Sequence, residues 1–347
     1  MKYTIFGESH GMAIGVVLEG VPPALELDLE QVQRELDRRA PGKNSLSTAR
    51  KESDTVHVLS GLFEGKTTGA PLCMVIYNSD QHSTDYDSIR YTPRPSHGDY
   101  AGFLASLGCN DYRGGGHFSG RLTAPLVAAG AVAKQLLAGR GVWVGAHISA
   151  VYGILDRAMD DPEELRALAG SSFPVLDEAK GEEMRQAILE AKEAQDSVGG
   201  SIECAVVGLP GGHGGPDFGR NAEGIFSQYL FAVPAVKAVG FGAGVSFAYL
   251  RGSEANDPFT VENGQIRTKT NLSGGVNGGI TNGMPVVFEV TLRPTPSIAL
   301  PQESVDLRTG EEVEIEIKGR HDPCIVPRAV PVIEAAAALA ACAVLGI

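Results

Sequence analysis

The sequence predicts a mixed fold in which short β-strands alternate with α-helices. Glycine accounts for 44 of the 347 residues without a collagen-like period, which is typical of a chain with many tight turns. Hydrophobic residues make up 43% of the chain and charged residues 20%, as in soluble globular proteins. Apolar residues recur at strand spacing in several short segments and at helical spacing in others.

The first part of the chain is predicted to contain strands and one helix. The turn at 7–11 leads into an apolar strand. Asp28 is a suitable N-cap for a helix whose apolar face carries Leu29, Val32 and Leu36. Two further strands are predicted at residues 54–60 and 70–77.

The segment 61–68 between those two strands is similar to a phosphate-binding Walker loop. Its first glycine stands one position too late for that pattern, and no helical pattern follows it. We therefore expect a hairpin turn at this segment, which argues against nucleotide hydrolysis.

The rest of the chain is predicted to combine buried and exposed helices with more strands. A helix over 123–137 has hardly a charge and is expected to be buried. Residues 155–196 are rich in charge with apolar residues at helical intervals, which indicates a pair of exposed amphipathic helices. The apolar stretch 329–347 contains Pro331 and Glu334, which favours a buried helix or a subunit contact over a membrane span. Strands are also predicted at 201–207, 284–292 and 313–318, and a helix at 221–231.

Charge and cysteine content limit the classes of partner. The net charge of −13 argues against broad binding to nucleic acid or to anionic membranes, because the chain lacks a basic surface field. The five cysteines are scattered, without CxxC or tight Cys/His spacing, so they fit reduced thiols better than disulfides or a zinc site. No secretory signal segment is predicted. We therefore expect a cytoplasmic protein without a metal site.

Side chains that carry chemistry gather on glycine-rich turns. His10 lies within Gly-Glu-Ser-His-Gly, His97 within Ser-His-Gly, and the segment 113–121 holds three successive glycines between two arginines. Arginines on such turns in an acidic protein indicate a phosphate or carboxylate ligand. Histidines beside them indicate proton transfer to or from that ligand. The residues alone predict an anion-binding enzyme, compatible with phosphate elimination, phosphoryl transfer or hydrolysis.

Four motifs in order make the chain resemble the chorismate synthase family. They are Gly-Glu-Ser-His-Gly at 7–11, Arg-Pro-Ser-His-Gly-Asp-Tyr at 94–100, Arg-Gly-Gly-Gly at 113–116 and Gly-Arg-His-Asp-Pro-Cys at 319–324. The resemblance spans nearly the whole chain. It implies a single domain over 1–347 with an exposed helical segment near 155–196. The implied fold is α+β, a β-α-β sandwich with antiparallel sheets packed between helices, assembled as a homotetramer.

The resemblance also implies the last common step of the shikimate pathway toward aromatic amino acids. That step is an anti-1,4-elimination of phosphate from 5-enolpyruvylshikimate 3-phosphate, giving chorismate and requiring reduced FMN. By position, His10 would protonate the leaving phosphate, His97 would act near the flavin, and Asp322 would assist removal of the ring proton. The implied substrate-binding residues are Ser9, Arg39, Arg121 and Arg320. The implied FMN-binding residues are Ser119, Ala235, Gly278, Arg293, Thr295, Ser297 and Arg320.

The chain departs from the family's usual residues on loops expected to contact ligands. These positions are Ser45, His117, Phe118, Leu122, Pro234 and Arg293. The departures leave open a paralogue that binds flavin or an anionic metabolite without turnover, and a flavin-independent phosphatase or lyase. Retention of His10, His97 and Asp322 favours a working elimination enzyme over a binding protein. We expect an external reductase to supply the reduced flavin, while an intrinsic, NADP-dependent reductase activity stays open.

Overall fold

The computed structural model describes residues 1–42, 54–78, 90–317 and 321–347. Its α-helices are α1 (Leu29–Arg39), α2 (Asp99–Ala105), α3 (Thr123–Ala138), α4 (Leu165–Leu168), α5 (Glu178–Glu193), α6 (Ala222–Phe231), α7 (Gly252–Ala255) and α8 (Val326–Val344). Its strands are β1 (Lys2–Gly7), β2 (Ala13–Glu19), β3 (Val56–Ser60), β4 (Leu62–Phe63), β5 (Lys66–Thr67), β6 (Leu72–Tyr77), β7 (Trp143–Val151), β8 (Ile154–Leu155), β9 (Gly200–Val207), β10 (Val236–Phe241), β11 (Phe259–Glu262), β12 (Gln265–Thr268), β13 (Val276–Asn277), β14 (Ile280–Thr281), β15 (Val286–Leu292), β16 (Gln302–Val305) and β17 (Glu312–Ile315).

The first sheet has four antiparallel strands in the order β1-β2-β6-β3. Ile14, Val16 and Leu18 of β2 are fully buried, because alternate side chains of a strand face the same side. β3 and β6 confirm the strands predicted at 54–60 and 70–77. Between them, β4 and β5 pair as a small hairpin, so the Walker-like segment is the predicted turn.

The second sheet has five antiparallel strands in the order β10-β15-β9-β7-β8. Val286, Phe288 and Val290 of β15 are fully buried, whereas the intervening Glu289 is exposed. This alternation gives the sheet one face that packs into the core. β9 and β15 confirm two of the predicted strands.

Helices fill the space between the two sheets. α3 packs on β2 and β6 of the first sheet, α8 packs on β7 and β9 of the second, and α3 and α8 pack on each other. The two helices come very close where Gly130 faces Ala335, since a methyl group on Gly130 would lie 2.2 Å from the Ala335 Cβ. The structure therefore confirms an α+β fold of the β-α-β sandwich type, with helices as the middle layer.

The last helix is a core element. α8 is long and apolar enough, by length and composition alone, to cross a membrane, but 89% of its apolar window is buried inside the protein. Its Glu334 accepts hydrogen bonds from Arg38 of α1 (2.6 Å) and Lys134 of α3 (2.6 Å). This confirms the buried helix predicted at 329–347, and the ion pairs tie the three helices together.

The charged segment 155–196 contains α4, which is a single turn, and α5. The Asp177 carboxylate caps α5 by accepting the Ala179 N–H at 2.9 Å. Met184 and Ile188 are buried on the face of α5 that packs on β7 and β8. Most other side chains of α5 are at least partly exposed, as its amphipathic pattern predicts.

The Glu334 ion pairs give a testable prediction about stability. Replacing Glu334 with Gln is expected to destabilise the protein by about 3 kcal/mol, because Arg38 and Lys134 would lose their most buried counter-charge and keep only their ion pairs with Glu35. Chemical denaturation measures the loss. The matched control is Glu30→Gln, since Glu30 is exposed and its ion pair with Arg34 is long at 3.9 Å. A loss no larger than that of the control would contradict this role of Glu334.

The same carboxylate predicts a pH dependence. Burial alone would raise the pKa of Glu334, but Lys134 and Arg38 outweigh it and lower the pKa to about 2. A lowered folded-state pKa stabilises the protein above the ordinary value of 4.5, and this contribution is lost as the pH falls from there toward about 2. Glu334→Gln should therefore show a shallower loss of stability in that acid range than the unaltered protein.

Candidate active site

The turn between β1 and β2 places Ser9 and His10 in the interior of the protein. Both side chains are buried. The Ser9 N–H donates to the Gly116 carbonyl at 3.2 Å, which fixes this turn to the triple-glycine segment. A methyl group on Gly114 would lie 2.4 Å from His10 Cδ2 and 2.5 Å from His10 Nε2. Gly114 lines the arginine-rich cavity described below, whereas His10 packs against Gly114 and is not among the described residues that line that cavity.

The triple-glycine segment brings the two predicted catalytic histidines together. Gly114, Gly115 and Gly116 all have positive φ angles, of 59°, 82° and 51°, which favour glycine. A methyl group on Gly115 would lie 3.0 Å from His97 Cε1, just as one on Gly114 would meet His10. His10 and His97 therefore pack against two adjacent glycines, although they are far apart in the sequence.

His97 is oriented by an ionic network at the start of α2. Its Nδ1 lies 2.5 Å from Asp99 Oδ1. Arg94 donates to the same carboxylate through Nε (2.7 Å) and Nη2 (2.8 Å), and through Nη1 to Ser297 Oγ (3.1 Å). Burial alone would raise the pKa of Asp99, but its hydrogen bonds with Arg94 and His97 hold it well below the usual range. A carboxylate at Nδ1 leaves Nε2 as the ring nitrogen for a ligand.

Two arginines predicted to bind substrate share one buried carboxylate. Asp54 accepts from Arg39 Nη1 at 2.8 Å and forms a second ion pair with Arg121 Nη1. Arg39 also donates to Thr123 Oγ1 and to the Gly120 carbonyl, both at 3.0 Å. Burial lowers the pKa of the Arg39 guanidinium to about 10. Asp54 opposes this shift, whereas the nearby Arg328 and Arg121 add to it. Both guanidinium groups line the cavity in fixed positions.

The cavity has a volume of about 280 Å³ and two kinds of wall. Its cationic wall consists of five arginines, namely Arg39, Arg94, Arg121, Arg293 and Arg328. Its apolar wall comes from Phe118, Val233, Pro234, Leu292, Ile325, Ala329 and Val332. Such a combination suits a ligand that joins an apolar ring to anionic groups, because arginine binds phosphate and carboxylate oxygens in pairs.

Eight of the predicted site residues line this cavity. They are Arg39, His97, Ser119, Arg121, Arg293, Thr295, Ser297 and Asp322. Asp322 forms an ion pair with Arg328, so its carboxylate is held at the start of α8. Ser9 and His10 lie directly behind Gly114.

Two other predicted flavin-binding residues lie outside the cavity lining, and the position of a third is not described. Among the described residues, Ala235 and Gly278 do not line the cavity. Ala235 lies behind its wall, where its carbonyl accepts the Arg293 N–H at 3.0 Å. Gly278 is exposed in the turn between β13 and β14, with a positive φ of 61°. Arg320, like the departure at Ser45, lies outside the described residues.

The loop after β15 carries groups suited to hold a polar, planar cofactor. Thr295 Oγ1 is buried and has no hydrogen-bond partner within the described ranges. Burial lowers the pKa of Arg293, whose side chain lines the same part of the cavity. A buried hydroxyl without a partner is costly, so a bound ligand that accepts or donates a hydrogen bond there would stabilise the site. These residues could hold the phosphate and ring system of the flavin that the family resemblance implies.

Sequence reasoning missed several side chains that hold the candidate site together. Asp54 appears in it only at the start of the strand predicted at 54–60, Arg94 appears only within the motif at 94–100, and no motif contains Asn78. Asn78 donates to the carbonyls of Glu8 (3.2 Å) and Gly11 (2.9 Å), and accepts from Arg121 Nε (3.1 Å). It thus joins the His10 turn to the cationic wall. The available signal was its position directly after an apolar strand, where polar residues often serve a site.

Comparison with known proteins shows which family the chain belongs to. The family model described as chorismate synthase matches residues 1–345. The chorismate synthase of Thermococcus gammatolerans is 48% identical over 335 residues, covering 96% of this chain and 93% of that protein. The chorismate synthase of Methanocella arvoryzae is 48% identical over 338 residues, covering 97% and 90%. A crystal structure of chorismate synthase superposes with a TM-score of 0.77 at 28% identity, covering 99% of this chain and 91% of the other. The chain therefore belongs to the chorismate synthase family, whose members are phosphate-eliminating lyases.

Proposed function

We propose that this chain eliminates phosphate from 5-enolpyruvylshikimate 3-phosphate to form chorismate in the arginine-lined cavity. The observation that carries the proposal is the convergence of His10 and His97 on the adjacent Gly114 and Gly115 at that cavity. An acid–base pair beside five arginines is the arrangement that departure of a phosphate requires.

The arginines account for binding of the substrate. A phosphate and two carboxylates concentrate negative charge that repels itself unless cations compensate it. Arg39, Arg121 and Arg328 offer this compensation from one side of the cavity. The apolar residues of α8 and of the loop before β10 would contact the carbon ring and exclude water. The predicted role of Arg320 as a further ligand stays a prediction.

His10 is proposed as the acid that protonates the leaving phosphate. Its Nε2 is the ring nitrogen next to Gly114, which lines the cavity. Ser9 Oγ is buried, has no hydrogen-bond partner in the described part of the chain, and lies close to the same glycine. It can therefore accept or donate a hydrogen bond at the phosphate as the charge develops.

His97 and Asp322 are proposed to act on the other side of the reacting ring. Asp99 fixes the tautomer and orientation of His97, which then presents Nε2 for proton transfer near the flavin. Asp322, held by Arg328, is proposed to assist removal of the ring proton. His10 is thus proposed to act at the leaving phosphate, and His97 and Asp322 on the opposite side of the ring. Groups on opposite sides of the ring are consistent with an anti elimination.

Reduced FMN is proposed as the cofactor, held by Ser119, Arg293, Thr295, Ser297 and Arg320. When bound, it supplies electron density that promotes loss of phosphate without net oxidation of the substrate. Arg293 would neutralise part of the flavin's phosphate, and the buried Thr295 hydroxyl would gain a hydrogen bond. Ala235 and Gly278 are proposed as more distant flavin contacts.

The remaining proposals concern assembly and cell context. We propose a homotetramer, consistent with large exposed apolar side chains such as Val245, Tyr249, Phe259 and Ile266. We also propose a cytoplasmic enzyme that acts as one domain on a small-molecule substrate, and that binds neither nucleic acid nor membrane. Its reduced flavin would come from an external reductase, with NADP-dependent reduction by the chain itself as the alternative.

The test is an anaerobic assay with purified protein and 5-enolpyruvylshikimate 3-phosphate, with and without chemically reduced FMN. We expect chorismate and phosphate in equal amounts, and only when reduced FMN is present. Phosphate release without flavin would instead indicate the flavin-independent phosphatase. Substrate binding without either product would indicate the binding paralogue. Adding NADPH and oxidised FMN in place of reduced FMN distinguishes self-reduction from an external supply.

A further inference from the structure

Asp54 stands among the residues of the cationic wall but has no part in the proposed chemistry. Its carboxylate is fully buried and forms ion pairs with both Arg39 and Arg121. These arginines come from the end of α1 and from the turn before α3. Asp54 is therefore the shared counter-charge of two separate elements.

The position of Asp54 is fixed by its backbone as well. Gln33 of α1 donates to the Asp54 carbonyl at 3.4 Å and accepts the Val56 N–H at 3.2 Å. Asp54 has a positive φ of 47°, a conformation that aspartate tolerates better than most residues. A strained backbone that neighbouring contacts hold in place is common at functional sites.

The charges around Asp54 explain why a carboxylate is needed here. Arg39 and Arg121 are both buried, and Arg328 also acts electrostatically on Arg39. Burial would raise the pKa of Asp54, but the two paired arginines outweigh it and lower the pKa. Without an anion between them, the guanidinium groups would repel each other and lose their shared position.

We infer that Asp54 is a positioning residue of the anion site, whose carboxylate holds Arg39 and Arg121 side by side until a ligand anion joins them. This inference rests on the proposed function in taking the ligand anion to be the phosphate or carboxylate of the substrate. Because Asp54 and a bound anion compensate the same two arginines, the stability of the folded protein and its binding of anions depend on each other. When the carboxylate is removed, a bound phosphate takes over part of the compensation.

The test compares Asp54→Asn with the unaltered full-length protein by thermal unfolding, with inorganic phosphate as the probe and sodium chloride added to equal ionic strength. We expect the Tm of Asp54→Asn without phosphate to fall by roughly 10 °C, because buried charges lose their partner. We also expect phosphate to raise the Tm of the variant clearly more than that of the unaltered protein. In the assay, kcat/KM should fall at least about tenfold.

The matched control is Asp28→Ala. It removes a helix cap, which lowers stability at a distance from the cavity. Its Tm should fall by a smaller amount, and phosphate should raise its Tm by as much as it raises the Tm of the unaltered protein. The inference would be overturned if phosphate raised the Tm of Asp54→Asn and of the unaltered protein equally, or raised neither. The Tm readout needs neither flavin nor turnover, so these results are separate from failure of the proposed function.

A second variant covers the case in which Asp54→Asn does not fold. Adding Arg121→Gln to Asp54→Asn removes one of the two uncompensated cations. The double variant should then be more stable than Asp54→Asn alone, a non-additive result expected only of directly coupled charges. A double variant less stable than the single one would overturn the role of Asp54 as a counter-charge.

Discussion

Replacing Gly114 with alanine is expected to reduce turnover by about 100-fold or more. The added methyl group would lie 2.4–2.5 Å from ring atoms of His10 and 3.0 Å from Ser9 Oγ. His10 would have to move or be covered, and the loss of a general acid typically costs 10²–10⁴-fold in rate. The positive φ of 59° adds strain of about 1–3 kcal/mol, which thermal unfolding measures separately.

The control for this variant lies in the same cavity. Gly120 also lines the cavity, but a methyl group on it would meet no atom within 4 Å, and its φ angle is not in the left-handed region. Gly120→Ala is therefore expected to keep turnover close to that of the unaltered protein. Equal turnover in Gly114→Ala and Gly120→Ala would contradict the idea that the missing side chain of Gly114 keeps His10 in its active position.

His10→Ala is expected to reduce kcat by about 10²–10⁴-fold while changing flavin affinity less than about tenfold. The reason is that His10 is proposed to act on the leaving phosphate, whereas the flavin is proposed to contact the loop after β15. Steady-state kinetics with reduced FMN gives kcat, and titration of oxidised FMN fluorescence gives the flavin affinity. Equal losses in turnover and flavin binding would contradict the assignment of His10 as the acid.

A nearby histidine provides the control for His10. His117 is exposed, and its Nδ1 lies 3.1 Å from the Gly7 carbonyl, so it contacts the same turn without lining the cavity. His117→Ala should leave kcat within a few-fold of the unaltered protein. A large loss of turnover in His117→Ala would mean that the turn itself, rather than the His10 imidazole, accounts for the effect.

Local sequence patterns predicted many elements of the fold but not their arrangement. The patterns predict α1 with its Asp28 cap, the charge-poor α3 and the strands β2, β3, β6, β9 and β15 within a few residues, but not β1, β7 and β8. The order of strands in each sheet depends on contacts between distant segments. Nothing local indicates that β6 pairs with both β2 and β3, or that Gly130 meets Ala335.

In the candidate site too, the sequence predicts residues within short motifs but not contacts between distant segments. The sequence indicates His10, His97 and Asp322 as candidates because each lies in a short motif of unusual composition. Asp54 was missed because its partners lie 15 and 67 positions away, and only the folded chain brings them together. The roles of Ala235 and Gly278 came from the family resemblance, and both residues lie beyond the cavity of a single chain.

Phe118, one of the departures from the family's usual residues, fits only because two nearby residues are glycines. The ring of Phe118 lies over Gly98 and Gly102 at the start of α2, where methyl groups would come within 3.0 Å and 2.4 Å of ring atoms. The aromatic ring and the two glycines therefore form one packing unit. A relative with a side chain at the position of Gly102 could not accept phenylalanine at 118 without moving α2 or the ring. Chimeras that exchange the loop 117–123 between relatives should therefore carry residues 98–102 with it.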